Sequence, residues 1–241
     1  MIEAEYVRLD SGVGRQRRTV LDDVSLTIPD SSITTVLGGL DSDMSALMNV
    51  LGGMERVTSG SVVVDGVDLA STSDAERERM RASTFALLFK QDNLLPALTL
   101  GENLDLPAKL NGTRVSTQER TEIIDLFGLS QVLGHYPDAV PLIEQNKCAL
   151  AALVMAGRRV VLCDEPTDGF TRADRETLYA LLRVCARERG MTVVTFTSNP
   201  MSAVSADRVY LMTDSRITAE LNAPTLDSIL DTLRVIFSEE P

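Results

Sequence analysis

Apolar and polar positions alternate over Glu3–Leu9 and again over Val20–Ile28, the spacing of half-buried strands, with the polar turn SGVGRQRR between them. Ile33–Leu37 is a short β-branched run that ends in Gly38 and Gly39, so a strand enters a tight loop there. Ser45–Leu51 has helical spacing. Ser61–Val64 and Val67–Leu69 flank the hairpin turn Asp65-Gly66. Ser73–Arg81 reads as a charged helix and Phe85–Phe89 as a strand. Beyond Asn93 the period lengthens: Leu94 to about Ala156 is helical, with loops at Asn111-Gly112 and around Pro137–Pro141. Strand patterns return at Val160–Cys163, Thr192–Thr197 and Arg208–Met212, the first two separated by a helix over Arg172–Arg189. Strands alternating with helices predict an α/β fold with a largely parallel sheet covered on both faces. The tail Ala223–Phe237 places Leu226, Ile229, Leu230, Leu233 and Ile236 on one helical stripe, a closing helix packed on the core. The chain is thus expected to be one domain over 1–241. Its core spans 1–92 and 157–217, a helical subdomain is inserted at 93–156, and a C-terminal helix covers 218–241.

Composition narrows the function. With 44% hydrophobic and 24% charged residues the chain can bury a core. The net charge of −12 argues against nucleic acid as a partner. Cys148, Cys163 and Cys185 have no metal-ligand spacing and read as small buried hydrophobes. No apolar run reaches the roughly 18 residues of a membrane span, and the N-terminus MIEAEYVRLD is too polar for a signal peptide. The expected location is cytoplasmic, with the membrane reached through a partner.

Two segments carry the chemistry and disagree. Val160–Thr167 reads VVLCDEPT, a buried strand ending in the carboxylates Asp164 and Glu165. Such a pair can hold Mg²⁺ and polarise an attacking water. The loop after the first buried strand, Gly38–Ala46, reads GGLDSDMSA. A phosphate-binding loop follows G-x-x-x-x-G-K-[ST]; here Asp43 stands for its second glycine and Met44 for its lysine.

The order strand, glycine loop, helix, TSGSVVVDGVDL, FKQDNLLPALTLGENLDLP, VVLCDEPTDGF, TVVTFTSNP resembles an ABC-transporter nucleotide-binding subunit, in the lipoprotein-release and macrolide-exporter branch (LolD/MacB-like). The resemblance runs from about Ile2 to Ile217. It implies a P-loop NTPase-like cassette with a largely parallel core sheet, an antiparallel β subdomain and an inserted helical subdomain. It also implies residue roles. The nucleotide-binding positions are Gly38, Gly39, Asp41, Asp43, Met44, Ser45 and Ala46, of which only Ser45 keeps the hydroxyl that would reach Mg²⁺. The glutamine loop falls at Lys90 and Gln91. The signature loop falls at Val140, Pro141, Leu142, Ile143 and Glu144, the aspartate after the catalytic pair at Thr171, and the switch histidine at Ser198. The adenine-stacking aromatic has no clear counterpart, Ser11 falling near it. Asp164 (metal) and Glu165 (catalytic, as a remnant) survive intact.

Trading lysine for methionine and adding Asp41 and Asp43 shifts the loop by about three charge units against an anionic ligand, each worth roughly 4 kcal/mol at 4 Å and an effective dielectric of 20. Asp and Ser suit a helix N-terminus without any ligand, so capping is the expected role of Asp41, Ser42 and Asp43. Lys90 is expected to fill the vacated site by pairing with Asp164 or Glu165. His135 reads as a surface or capping residue and Arg15–Arg18 as a solvated turn. By contrast, Asn93, Leu94, Leu95 and Pro96 open a segment, to Pro107, that resembles the family's permease-facing groove nearly intact. The leading expectation is therefore a pseudo-ATPase with no cofactor, docked on an integral membrane permease as a structural or regulatory subunit and paired with a homologous cassette as a homo- or heterodimer. Two alternatives stand beside it. One is an unconventional but active ATPase, using ATP and Mg²⁺ to power export or lipoprotein or peptide translocation. The other is a free-standing protein with another ligand in the cleft.

Overall fold

The computed structural model describes residues 1–12, 17–39 and 42–238. Two sheets organise the chain. The first is antiparallel, in the order β2-β1-β4-β5, from β1 (Ile2–Ser11), β2 (Arg18–Ile28), β4 (Ser59–Val64) and β5 (Val67–Asp68). The second has the order β10-β9-β3-β8-β7-β6. It holds β3 (Ile33–Gly38), β6 (Phe85–Leu88), β7 (Val160–Asp164), β8 (Thr192–Thr197) and β9 (Arg208–Thr213) in parallel, with β10 (Arg216–Asn222) antiparallel at one edge. The central strands are buried on both faces, which is why β3, β7 and β8 read as unbroken apolar or β-branched runs rather than as alternations.

Helix α1 (Met44–Leu51) follows β3 and packs its Leu47, Met48, Val50 and Leu51 into a core shared by the antiparallel sheet and one face of the main sheet. The second core lies on the other face, under α3 (Leu100–Asn111), α4 (Thr117–Phe127), α5 (Leu142–Met155) and α6 (Arg172–Arg189). Helix α2 (Asp74–Thr84) has no buried residue and is fixed at its start by a Ser73/Glu76 capping box. Helix α3 starts in the same way, on Thr99 and Glu102. All three cysteines are free and buried, and burial pushes the Cys148 and Cys185 thiols up to about 12.

One part differs from the sequence reading. The start of the expected C-terminal helix, residues 218–222, belongs to strand β10. Its hairpin turns on Asp214 and Ser215, both at positive φ (47° and 64°), so a left-handed two-residue turn forms without the glycine that usually signals one. The closing helix is α8 (Leu226–Ser238), after a short α7 (Pro200–Ala203). Ile229 is its one fully buried residue, and Val235 and Phe237 are exposed.

Candidate functional site

The ends of β3, β7 and β8 meet at one rim of the main sheet, where a doubly wound fold places its ligand crevice. At the end of β3, Gly38 is closely packed: a Cβ there would lie 2.3 Å from Ser42 Oγ. Ser42 folds back on the loop, its amide and hydroxyl both donating to the Gly39 carbonyl (3.1 and 2.5 Å). Asp43 takes the left-handed conformation, φ 54° and ψ 26°, immediately before α1. That is the conformation a glycine would adopt most easily, and Asp tolerates it better than most residues. A glycine-like backbone conformation at the start of α1 thus carries a carboxylate.

Asp43 does not cap the helix, contrary to the sequence expectation: its side chain makes no bond to the first turn. Instead the carboxylate accepts from Arg18 (Nη2 to Oδ1 2.9 Å, Nη1 to Oδ2 3.4 Å) and from Ser215 Oγ (3.4 Å). Arg18 pairs in register with Ser11, so the start of β2 supplies the cation. Of the basic turn expected to be solvated, Arg17 and Arg18 are exposed, and each also pairs with an acid, Arg17 with Asp10 at 2.9 Å. Met44 is half-buried and, with Ala46, packs against the core under the antiparallel sheet, while Ser45 is exposed. Asp41 and Arg15 lie outside the described residues.

At the end of β7, burial and the neighbouring charge of Glu165 raise the Asp164 carboxyl above its ordinary range. Glu165 is at φ 42° and is held by three donors from the end of β8: Thr197 Oγ1 (2.7 Å), the Ser198 amide (2.6 Å) and Ser198 Oγ (2.8 Å). The sequence reading brought Ser198 near this pair only by resemblance; the fold makes it a direct partner. Lys90 is corrected. It pairs with Asp168, both half-exposed, and not with Asp164 or Glu165. The turn after Glu165 (Asp168 amide to Glu165 carbonyl, 3.1 Å) presents Asp168 to it. The Lys90 ammonium holds the Asp168 carboxyl below its ordinary range. Gln91 is exposed.

The signature position is the bare start of α5. Pro141 precedes Leu142 with no side-chain cap, Ile143 packs against the helical core, and Glu144 in the first turn pairs with Lys147 at 2.9 Å. Thr171 caps α6, accepting from the Asp174 amide (3.2 Å). His135 is exposed, as expected.

The segment after β6 is built by two asparagines. Asn93 spans Phe89, accepting from its amide (2.8 Å) and donating to its carbonyl (2.7 Å), and donates to Asn146 Oδ1 (3.0 Å). Asn103, 5% exposed, accepts from the Leu95 amide and donates to the carbonyls of Leu95, Leu98 and Thr99. Leu95 and Pro96 are left exposed beside a cavity of about 110 Å³. Sequence reasoning missed Arg18, Asp168, Asn103 and Asn146. Only Asn103 left a local trace, one residue beyond the Thr99/Glu102 capping signature.

A sequence profile of the ABC transporter family matches residues 21–168. The lipoprotein-releasing system ATP-binding protein LolD of Bordetella avium is 31% identical over 219 residues, 90% of this chain and 95% of that protein. The macrolide export ATP-binding/permease protein MacB of Shigella flexneri is 29% identical over 231 residues, and the chain spans only 35% of its length. An ATP-binding cassette solved as a dimer in a post-hydrolysis state with ADP and Pi superposes with a TM-score of 0.80 at 24% identity, covering 93% of this chain and all of the other. The cbiO1 protein of Clostridium perfringens, part of an ABC transporter complex, superposes with a TM-score of 0.83 at 18% identity over 100% of this chain and 95% of its own.

Proposed function

Since the chain belongs to the ABC transporter family, as an ATP-binding subunit of the LolD/MacB type, we propose that it docks on an integral membrane permease as a structural or regulatory subunit and hydrolyses ATP very weakly or not at all. The observation that carries this reading is the Asp43–Arg18 pair at the start of α1, with Met44 beside it. ATP brings several negative charges to such a loop. The helix N-terminus alone attracts anions, but a carboxylate now stands there, and among the described residues the one cation that reaches it, Arg18, is bound to that carboxylate. A fixed charge within about 4 Å of a phosphate costs roughly 4 kcal/mol at an effective dielectric of 20. Two such terms, one lost lysine and one added acid, match the roughly −8 kcal/mol of a micromolar ligand. The residues present therefore do not fit an ATP–Mg²⁺ complex. The signature position supports the same reading, since Pro141, Leu142 and Ile143 stand at the start of α5 where the resemblance implies small residues. Among the described residues no helix is long and apolar enough to cross a membrane, so the proposed place is peripheral, on the cytoplasmic face, reached through the permease. A second cassette, identical or not, completes the proposed assembly.

One observation favours the alternative of an active ATPase driving export or translocation: Ser198 and Thr197 hold Glu165 in a fixed orientation beside Asp164. Calorimetric titration with Mg-ATP separates the two. The native chain is expected to give no binding heat at about millimolar ATP, a binding free energy weaker than roughly −4 kcal/mol, and the Asp43→Gly, Met44→Lys variant to gain binding. Micromolar binding by the native chain, with turnover lost in Glu165→Gln, would establish the active enzyme instead.

A further inference from the structure

Asp164 and Glu165 stand where β7 ends; the chain enters β6 and β7 at the opposite rim of the main sheet. At about 3.3 Å per residue of strand, the run from Arg158 to Asp164 sets the two rims roughly 20 Å apart. A hollow of about 470 Å³ opens at the entry rim, where the ends of α2, α3 and α5 converge. Arg79 and Ser83 line it from α2, Asn111 and Thr113 from the end of α3, and Gly157 and Arg158 from the turn before β7. Among the described residues no acid lines it, in a chain whose net charge is −12.

The polar groups left open in this hollow are donors. Arg158 is half-buried, and its side chain donates to one neutral acceptor among the described residues, Asn111 Oδ1 at 3.0 Å. Burial holds the Arg158 guanidinium below its ordinary value, as for a cation taken from water without a counter-ion. Arg79 donates through Nε to the Ala75 carbonyl (3.2 Å), which leaves its terminal nitrogens open. With its oxygen taken by Arg158, Asn111 offers its amide nitrogen, and Thr113 offers its hydroxyl. Ser83 is committed to its own helix, donating to the Arg79 carbonyl at 2.9 Å. Glu76, one turn before Arg79, is held in the Ser73 capping box. Arg175, Arg183 and Arg189 also lack an ion pair, but they are strung along α6. What marks this corner is convergence. Arg79 and Arg158 face one hollow, Arg81 shares the next with Arg158, and Arg114 follows Thr113. Among the described residues none of these four makes an ion pair. The helix ends nearby oppose an anion by about half a charge each, less in sum than two guanidiniums. Neither Arg79 nor Arg158 is bonded to a terminal carbonyl of α3 or α5.

We infer that this hollow binds a phosphate monoester, with Arg79 and Arg158 on its charged oxygens and Asn111 and Thr113 donating beside them. A guanidinium presents paired N–H donors that match phosphate oxygens. A soluble phosphate and the headgroup of an anionic lipid share this chemistry. The inference stands apart from the docking reading and from the crevice at the other rim. Two probes test it: calorimetric titration with inorganic phosphate, and flotation with phosphatidylcholine vesicles with and without phosphatidic acid. The native chain is compared with Arg79→Gln, Arg158→Gln and with Arg183→Gln, Arg189→Gln, which removes the same charge from α6. Thermal unfolding verifies each fold, and Arg79→Gln alone, at an exposed position, serves if the double change disturbs it. The native chain is expected to bind at least one probe. The Arg79, Arg158 variant should lose about tenfold or more in affinity, the worth of a charge-assisted contact, and the α6 variant should keep it. Heat with inorganic phosphate assigns a soluble ligand; binding to phosphatidic acid vesicles alone assigns a headgroup. No binding to either probe would overturn the inference, and a lower thermal midpoint in the Arg79, Arg158 variant would then make these arginines counter-charges for helix ends. An equal loss in both variants, a net-charge effect, or full retention in the Arg79, Arg158 variant would overturn it as well.

Discussion

Asp164 and Glu165 are adjacent carboxylates with opposite surroundings. Glu165 has three donors on its oxygens, whereas Asp164 is half-buried and its carboxyl is raised by that burial and then by the charge of Glu165. A raised carboxyl binds more protons in the folded than in the unfolded state, so stability falls as pH climbs from the unfolded value through the folded one. Asp164→Asn is therefore expected to raise the thermal midpoint at pH 7, with the gain shrinking as pH drops through the raised folded value and vanishing below the ordinary carboxylate value. Unfolding scans of both proteins from pH 3.5 to pH 7, on the order of the carboxylate range and above it, check this, and an equal midpoint at pH 7 would contradict it. Single residues were legible to different depths. The substitutions at Asp43 and Met44 follow from the loop's spacing alone. The partner of Asp43 does not, because Arg18 is 25 residues away and reaches it only once β2 is laid beside the loop. Lys90 was assigned to the wrong acid for a related reason. Asp164, Glu165 and Asp168 lie within one short stretch, and only the turn after Glu165 decides which of them faces the lysine.

Among elements, strands and helices with a strong period were legible to within a few residues, as α6 and β8 illustrate. Strand β10 was not. Its exposure alternates between half-buried and exposed with no buried position, and its Asp214-Ser215 turn lacks the usual glycine, so nothing local separates it from the tail. The loop from Leu95 to Thr99 shows the converse, irregular chain made rigid by one side chain. Asn103 makes four hydrogen bonds to it. Asn103→Ala would take the side-chain partner from the part-buried Leu95 amide and Leu98 carbonyl, at about 2 kcal/mol by the usual cost of such losses. Urea unfolding should report that loss, and limited proteolysis should cut first within 95–99. A variant that unfolds like the native chain would mean that water replaces the amide without cost.

At the scale of the whole molecule, in the composite arrangement the family resemblance implies, each nucleotide lies between one cassette's phosphate loop and the other's signature loop. This chain carries Asp43 and Met44 in the first and Pro141 to Glu144 in the second. On the proposed reading Mg-ATP has no complete seam to close in a pair of such chains, and the net charge of −12 opposes their approach. Sedimentation velocity is expected to give the same association state with and without Mg-ATP. An ATP-dependent dimer would contradict the proposal at its root. The Asp43–Arg18 pair has a wider consequence. A loop that supplies its own anion and its own counter-ion is complete at rest, so on the proposed reading its shape is indifferent to the cell's ratio of ATP to ADP. Such a subunit would hold its transporter assembled through starvation and plenty alike, reporting on the presence of its partners and not on the energy supply.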